Sequence, residues 1–294
     1  MAEPGVSVIQ ARRKTGRSFA AFSETFGIFR LSRVEIMAFS EHSTSINGLG
    51  YSYRRSGGGK APLLYLHGTE SLSHWPEFLD DLAGSYDVIA PDIPGFGGTD
   101  TQEKLDDISD LAYYFADFLE DQNLANVHLV GHSLGGWIAL EMAVRTCDRL
   151  ADLTLLAPGG IHVKGHHKAD IFMIDPDEQA RMAFADEALG QQAAARAGEE
   201  KYEDVAITDR IAAARFGWNP RFFNPRLDRW LHRVNKPSLI IWGEQDRIFP
   251  PEMAGALQSR IPGSELVMLA DCGHLPHVEK RAETLSAMAN FMTR

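Results

Sequence analysis

Short, mostly apolar runs punctuate this chain at residues 62–66, 87–90, 127–130, 153–157 and 237–242, the first of them apolar throughout. Turn residues bound each run, the pattern of strands buried on both faces of a parallel sheet. Between them fall one-faced helical patterns; over residues 106–121, Ile108, Leu111, Ala112, Phe115, Phe118 and Leu119 make a single stripe. Helical spacing also covers 134–145, 251–260 and 280–292, with a further strand at 265–269. Two short strands at 43–46 and 49–54 flank Asn47-Gly48, a pair suited to the positive φ angles of a two-residue hairpin turn. Strands alternating with helices predict an α/β protein built on a doubly wound, mostly parallel sheet with right-handed crossovers.

The strand signal disappears from residue 161 to about 233, and this region is expected to be a helical insertion forming a lid over the ligand-binding edge of the sheet. Asp175-Pro176-Asp177-Glu178 has the marks of a helix start, with Asp175 as cap and Pro176 at the first helical position. Thr208-Asp209-Arg210-Ile211 suggests a second start, and Asn219-Pro220 and Asn224-Pro225 break the pattern. The expected organisation is a core of 37–160 and 234–294, the lid of 161–233, and a loosely ordered extension over 1–36. That extension carries Arg12, Arg13, Lys14, Arg17, Arg30 and Arg33 against three glutamates. An organellar transit peptide and a true start at Met37 are the alternatives there.

Composition narrows the partners. The 294 residues are 44% hydrophobic and 23% charged, ordinary for a globular protein with a sizeable core. A formal charge of −11 disfavours nucleic acid and anionic membranes. Cys147 and Cys272 lie far apart with no metal-ligand spacing, so neither a disulfide framework nor a zinc site is expected. A cytoplasmic protein with a small-molecule substrate follows, with a homodimer left open.

Candidate chemistry sits at strand ends. Val127 to Val130 runs into Gly131-His132-Ser133-Leu134-Gly135, and a helical pattern starts at once. A serine on a sharp strand-to-helix turn is exposed to a base and to oxyanion donors, while glycines on either side let strand and helix approach. Asp246 follows the strand at 237–242, and His274 follows the strand at 265–269. Taken singly, such a serine is usually a turn residue, such an aspartate a solvated turn and such a histidine structural; the order Ser, Asp, His at three strand ends is what sets them apart.

That order, with His67-Gly68 after the first parallel strand and the Pro/Gly loop 92–98 after the second, resembles the α/β-hydrolase superfamily from about Leu49 to the C-terminus. The resemblance implies Ser133 as nucleophile, His274 as base and Asp246 as its orienting acid, with backbone N–H groups of Thr69 and Leu134 forming an oxyanion hole. It implies no cofactor and no metal. The activity implied is hydrolysis of a carboxylic ester, lactone or thioester. Carbon–carbon bond hydrolysis, as in the meta-cleavage-product hydrolases, is the runner-up; those enzymes usually place Trp after the catalytic His, where this chain has Leu275, and hold the substrate's acid group on a lid arginine, for which Arg181, Arg196, Arg210 and Arg215 are candidates. A ligand-binding receptor of the same fold is the third reading. Glu70 and Trp75, with Phe172, Met182, Phe216 and Trp218 of the lid, are the expected pocket residues. His67 and His132 are expected to be structural, His162, His166 and His167 to lie on the surface, and His277 to be the one rival for the base.

Overall fold

The computed structural model describes residues 39–72, 75–97, 99–197 and 199–293, and only the backbone of 200–202. The extension expected over 1–36 and the start at Met37 lie outside the described residues. β1 (Ser40–Ile46) and β2 (Leu49–Ser56) form the hairpin, Ile46 facing Leu49, with Asn47 and Gly48 at φ 53° and 78°. β3 (Pro62–Leu66), β4 (Asp87–Pro91), β5 (Val127–His132), β6 (Leu150–Leu156), β7 (Ser238–Gly243) and β8 (Glu265–Leu269) run parallel to one another. The sheet order is β1-β2-β4-β3-β5-β6-β7-β8. From β3 the chain goes to β4 on one side, then returns to β5 on the other. The order therefore reverses between β3 and β5, and a crevice opens outside their carboxyl ends.

α1 (Glu77–Ala83) packs on one face of the sheet, and α2 (Ile108–Asp121) and α3 (Leu134–Arg145) pack on the other. Between β6 and β7 come α4 (Pro176–Met182), α5 (Glu187–Ala197), α6 (Glu200–Gly217) and two 3-10 turns, Leu227–Arg229 and Leu231–Arg233. α7 (Glu252–Gln258) follows β7, and α8 (Pro276–Glu279) and α9 (Arg281–Met292) close the chain. Alternate residues of β3 divide between two cores, Leu64 and Leu66 toward α2 and α3, Leu63 and Tyr65 toward α1 and α9. That division makes the sheet buried on both faces, as near-continuous apolar runs require.

Local chemistry explains where the element bounds depart from expectation. α2 starts at Ile108 because Asp107 accepts from Asp110 N while Asp110 accepts from Asp107 N, a reciprocal cap. Asp175 precedes α4 and Pro176 opens it, yet the Asp175 side chain makes no capping bond. Thr208 does not start a helix. It lies inside α6, where its hydroxyl donates to Asp204 O at 2.8 Å, the back-bond a mid-helix threonine makes when no cap is needed. α1 and α5 have no forecast in the periodicity; both are short, and packing rather than pattern holds them. Cys147 and Cys272 are buried free thiols. Among the described residues no helix is long and apolar enough to cross a membrane.

Candidate active site

β5 and α3 meet at Ser133, whose φ of 52° and ψ of −110° are strained for a residue with a side chain. The surrounding structure holds this turn: Ser133 N donates to Leu156 O at 3.0 Å, and Ser133 O accepts from Trp137 N and Gly159 N. Close approach of the two elements needs glycine, because a Cβ on Gly131 would come within 2.5 Å of Gly135 O and one on Gly135 would run into the backbone of Leu66 and His67. As the first residue of α3, Leu134 has no preceding turn to accept its N–H.

Asp246 lies after β7 with its side chain fully buried. Its Oδ1 accepts from the N–H groups of Ile248 and Phe249 at 2.8 and 2.9 Å, which leaves Oδ2 for Nδ1–H of His274 at 2.8 Å. With that proton on Nδ1, Nε2 of His274 is an acceptor, and it stands 2.9 Å from Ser133 Oγ. Three strand ends thus converge on one line of contacts. The ring of Phe249 meets the His274 imidazole edge-on at 4.9 Å and helps hold its orientation.

The neighbouring histidines are committed elsewhere. Nδ1–H of His67 donates to Gly68 O at 2.8 Å while its Nε2 accepts from Ile93 N at 3.0 Å; burial pushes its pKa down to about 4. Nε2–H of His132 donates to His274 O at 3.0 Å, so this buried ring braces the backbone of the histidine beside Ser133. Burial holds His132 well below the usual imidazole range, reinforced by His277 and His274. His277, the rival for the base, is buried against Phe78 and His132; burial, then the nearby His274, push it down to about 3. The hydrogen-bond partner of its Nε2 is the Tyr65 hydroxyl at 3.5 Å, not Ser133. His162 and His167 are exposed and His166 is half-buried. Among the described residues no cluster of His, Cys, Asp and Glu is placed to hold a metal ion.

A cleft of about 610 Å³ opens over Ser133 and His274. Thr69, Glu70, Ser71 and Trp75 line one side, with Glu77 and Arg281 at its rim. Ile171, Ala183, Phe222, Ile248, Phe249 and Leu275 make the apolar part of the wall, beside Gln179. Of the expected pocket residues, Glu70 and Trp75 are on the cleft; Phe172, Met182, Phe216 and Trp218 are not. Phe172 stacks on Phe222 with rings 5.4 Å apart, and Met182 packs on the main core. Phe216 faces a separate groove beside Trp137 and Trp230. Trp218 is half exposed because Arg221 covers its ring at 3.7 Å and Phe172 flanks it.

Sequence patterning missed the seam between the inserted helices and the strand-end loops. His274 N donates to Ala183 O at 2.8 Å, and Arg247 donates to the carbonyls of Arg181 and Phe184. Glu279 accepts from Ala185 N, Asp186 N and Gly273 N. Buried Asp209 of α6 accepts from Ser71 N at 2.8 Å and Gly97 N at 2.9 Å, tying the loops after β3 and β4. The one available signal was a carboxylate on an otherwise helical stripe, which is no different from a solvated residue until the facing loops are known.

The model of the alpha/beta hydrolase family matches residues 63–287. The chain is 29% identical over 252 residues to the dihydrolipoyllysine-residue acetyltransferase component of the acetoin cleaving system of Cupriavidus necator, covering 80% of this chain and 64% of that protein, so it spans less than two thirds of that relative's length. It is 27% identical over 274 residues to 2-hydroxymuconate semialdehyde hydrolase of Pseudomonas sp., covering 83% and 91%. Among solved structures, an esterase from Rhodococcus sp. superposes with a TM-score of 0.70 at 25% identity, over 87% of this chain and 99% of that one.

Proposed function

The chain belongs to the alpha/beta hydrolase family, and from that premise we propose that it cleaves a carboxylic ester, lactone or thioester of a partly apolar small molecule through an acyl-enzyme on Ser133. The observation that carries this reading is the line of contacts Ser133 Oγ–His274 Nε2, 2.9 Å, and His274 Nδ1–Asp246 Oδ2, 2.8 Å, at the floor of a cleft. Ser133 attacks the carbonyl carbon as its proton passes to Nε2 of His274, and Asp246 stabilises the imidazolium that forms. The tetrahedral oxyanion is received by the N–H groups of Thr69 and Leu134, each such donor supplying about 3 kcal/mol. Collapse expels the alcohol with the proton from His274. Water then attacks the acyl-enzyme, giving its proton to the same nitrogen, and the acid leaves.

The likeness to 2-hydroxymuconate semialdehyde hydrolase favours carbon–carbon cleavage as a second reading. What weighs against it is the absence of Arg181, Arg196, Arg210 and Arg215 from the cleft lining. Arg210 donates to Phe172 O and Ile174 O, and Arg215 to Gln102 O.

Fluorophosphonate labelling and hydrolysis of short- and medium-chain nitrophenyl esters test the proposal. Labelling at Ser133 with ester turnover supports it; loss of absorbance from a vinylogous diketone, without ester turnover, moves the assignment to carbon–carbon cleavage. Tight ligand binding with neither labelling nor turnover moves it to a receptor.

A further inference from the structure

Glu70 is the charged group of the cleft that the proposed chemistry leaves unused. It follows Thr69 directly and lines the same cavity as Ser133 and His274. Of the other charged side chains on that lining, Glu77 and Arg281 pair with each other at the rim, and Arg281 also reaches Asp81. The cleft therefore carries one excess negative charge among the described residues. Glu70 is exposed toward the cavity, with protein packed around that opening. This confinement pushes its carboxyl pKa up, as does the charge of Asp209, while His274 and Arg196 pull it down. Asp209 spends its two oxygens on Ser71 N and Gly97 N, but its charge adds to the negative potential at this end of the site.

A carboxylate next to Thr69 has an awkward position for ester hydrolysis by itself, because the tetrahedral intermediate puts an anionic oxygen beside the Thr69 N–H. Repulsion between the two charges inside a confined cleft raises that intermediate. A positive charge on the substrate removes the penalty by pairing with Glu70, while a negative one doubles it. Resting on the ester-hydrolase reading, we infer that Glu70 makes this cleft selective for esters that carry a cationic group, a protonated or quaternary amine a few bonds from the carbonyl, and closes it to esters carrying a carboxylate. The apolar wall of Ile171, Phe222, Ile248 and Phe249 takes the rest of the molecule. Glu70 acts as a specificity determinant, without sharing in proton transfer: Ser133 and His274 are already bonded to each other.

Three nitrophenyl esters of matched shape separate the charges: γ-trimethylammoniobutyrate, its isostere with carbon in place of nitrogen, and a glutarate half-ester. Near pH 8, where a carboxylate is ionised, kcat/KM of the parent protein is expected to be at least about tenfold higher for the cationic ester than for the neutral one, with the anionic ester lowest. Glu70→Gln is expected to bring the cationic and neutral esters within about threefold, raising turnover of the neutral ester, and Glu70→Lys to invert the order. Melting curves establish that the variants fold, and Glu70→Ala gives a second neutralised variant should Glu70→Gln fail. No charge preference in the parent, or one that persists in the neutralised variants, overturns the inference. Calorimetric titration of the same esters into Ser133→Ala reads the preference without turnover. Cation-selective binding there with no hydrolysis by the parent means that the hydrolase reading has failed while Glu70 acts as stated.

Discussion

The parallel sheet and the helices inserted between β6 and β7 meet at the same cleft but contribute different kinds of group. From the sheet come side chains able to react, Ser133, Asp246 and His274, each held at the end of a hydrogen-bonded strand. From the insertion come mostly acceptors, the carbonyls of Arg181, Ala183 and Phe184 and the carboxylate of Asp209. The difference follows from where backbone groups find partners. Strands satisfy one another, whereas the loops at their carboxyl ends have N–H groups with no ladder, and a buried one must be met from outside. The insertion is thus a source of acceptors for the loops that hold the reactive groups.

Substitutions at four positions break or sharpen this contrast, in descending order of their effect on turnover. Ser133→Ala removes the proposed nucleophile and leaves both halves intact; ester turnover is expected to fall by about 10⁴-fold or more while the thermal midpoint changes little, measured by steady-state hydrolysis beside calorimetry. Gly273→Ala strikes the seam, since its Cβ would stand 2.5 Å from Ala183 O and 2.8 Å from Ala185 N. Displacing that backbone is expected to cost about 2 kcal/mol of stability and to lower kcat by on the order of a hundredfold through misplacement of His274, read by denaturant titration and hydrolysis together.

Asp209→Ala leaves the N–H groups of Ser71 and Gly97 without their acceptor. A kcat about tenfold lower with KM little changed is expected, and Asp209→Asn, which keeps one good acceptor, should fall between. Unchanged kcat with a lowered melting temperature would confine the contact to stability. Lys168→Met has the smallest effect on turnover, about twofold or less, because among the described residues the ammonium meets the carbonyls of Ile161 and Phe222 and the rings of Phe223 and Phe249. Its readout is stability against pH. Burial lowers the Lys168 pKa from 10.5 to about 7, so between these values the unfolded chain holds a proton that the folded one lacks. Stability from this group therefore rises with pH across that window and is least below about pH 7. Melting temperatures between about pH 7 and 10 are expected to climb less steeply in the variant.

Much of the sheet half was legible. Buried strands announce themselves as apolar runs, and β3 and β8 occupy the expected residues; the turn around Ser133 is a local arrangement with both glycines written beside it. The inserted half was legible only as helical. Phe172 and Met182 were expected at the cleft, where the structure puts their neighbours Ile171 and Ala183. A one-residue difference turns a helical side chain by about 100° and a loop side chain by no fixed angle, and nothing local says which way the segment faces. Asp209 is the sharper case. Read as part of a helix start, it sits in the middle of α6 and serves two loops far from it in sequence.

By itself the sequence determined the α/β class, the strand-to-helix turn at Ser133 and the chain order of serine, aspartate and histidine, because strand burial and turn chemistry depend on residues a few positions apart. Tertiary structure decided that His274 stands 2.9 Å from Ser133 on one side and 2.8 Å from Asp246 on the other, which of four histidines reaches the serine, and which inserted residues face the cleft. These depend on contacts between segments up to 141 residues apart, and such contacts are set by packing rather than by local pattern.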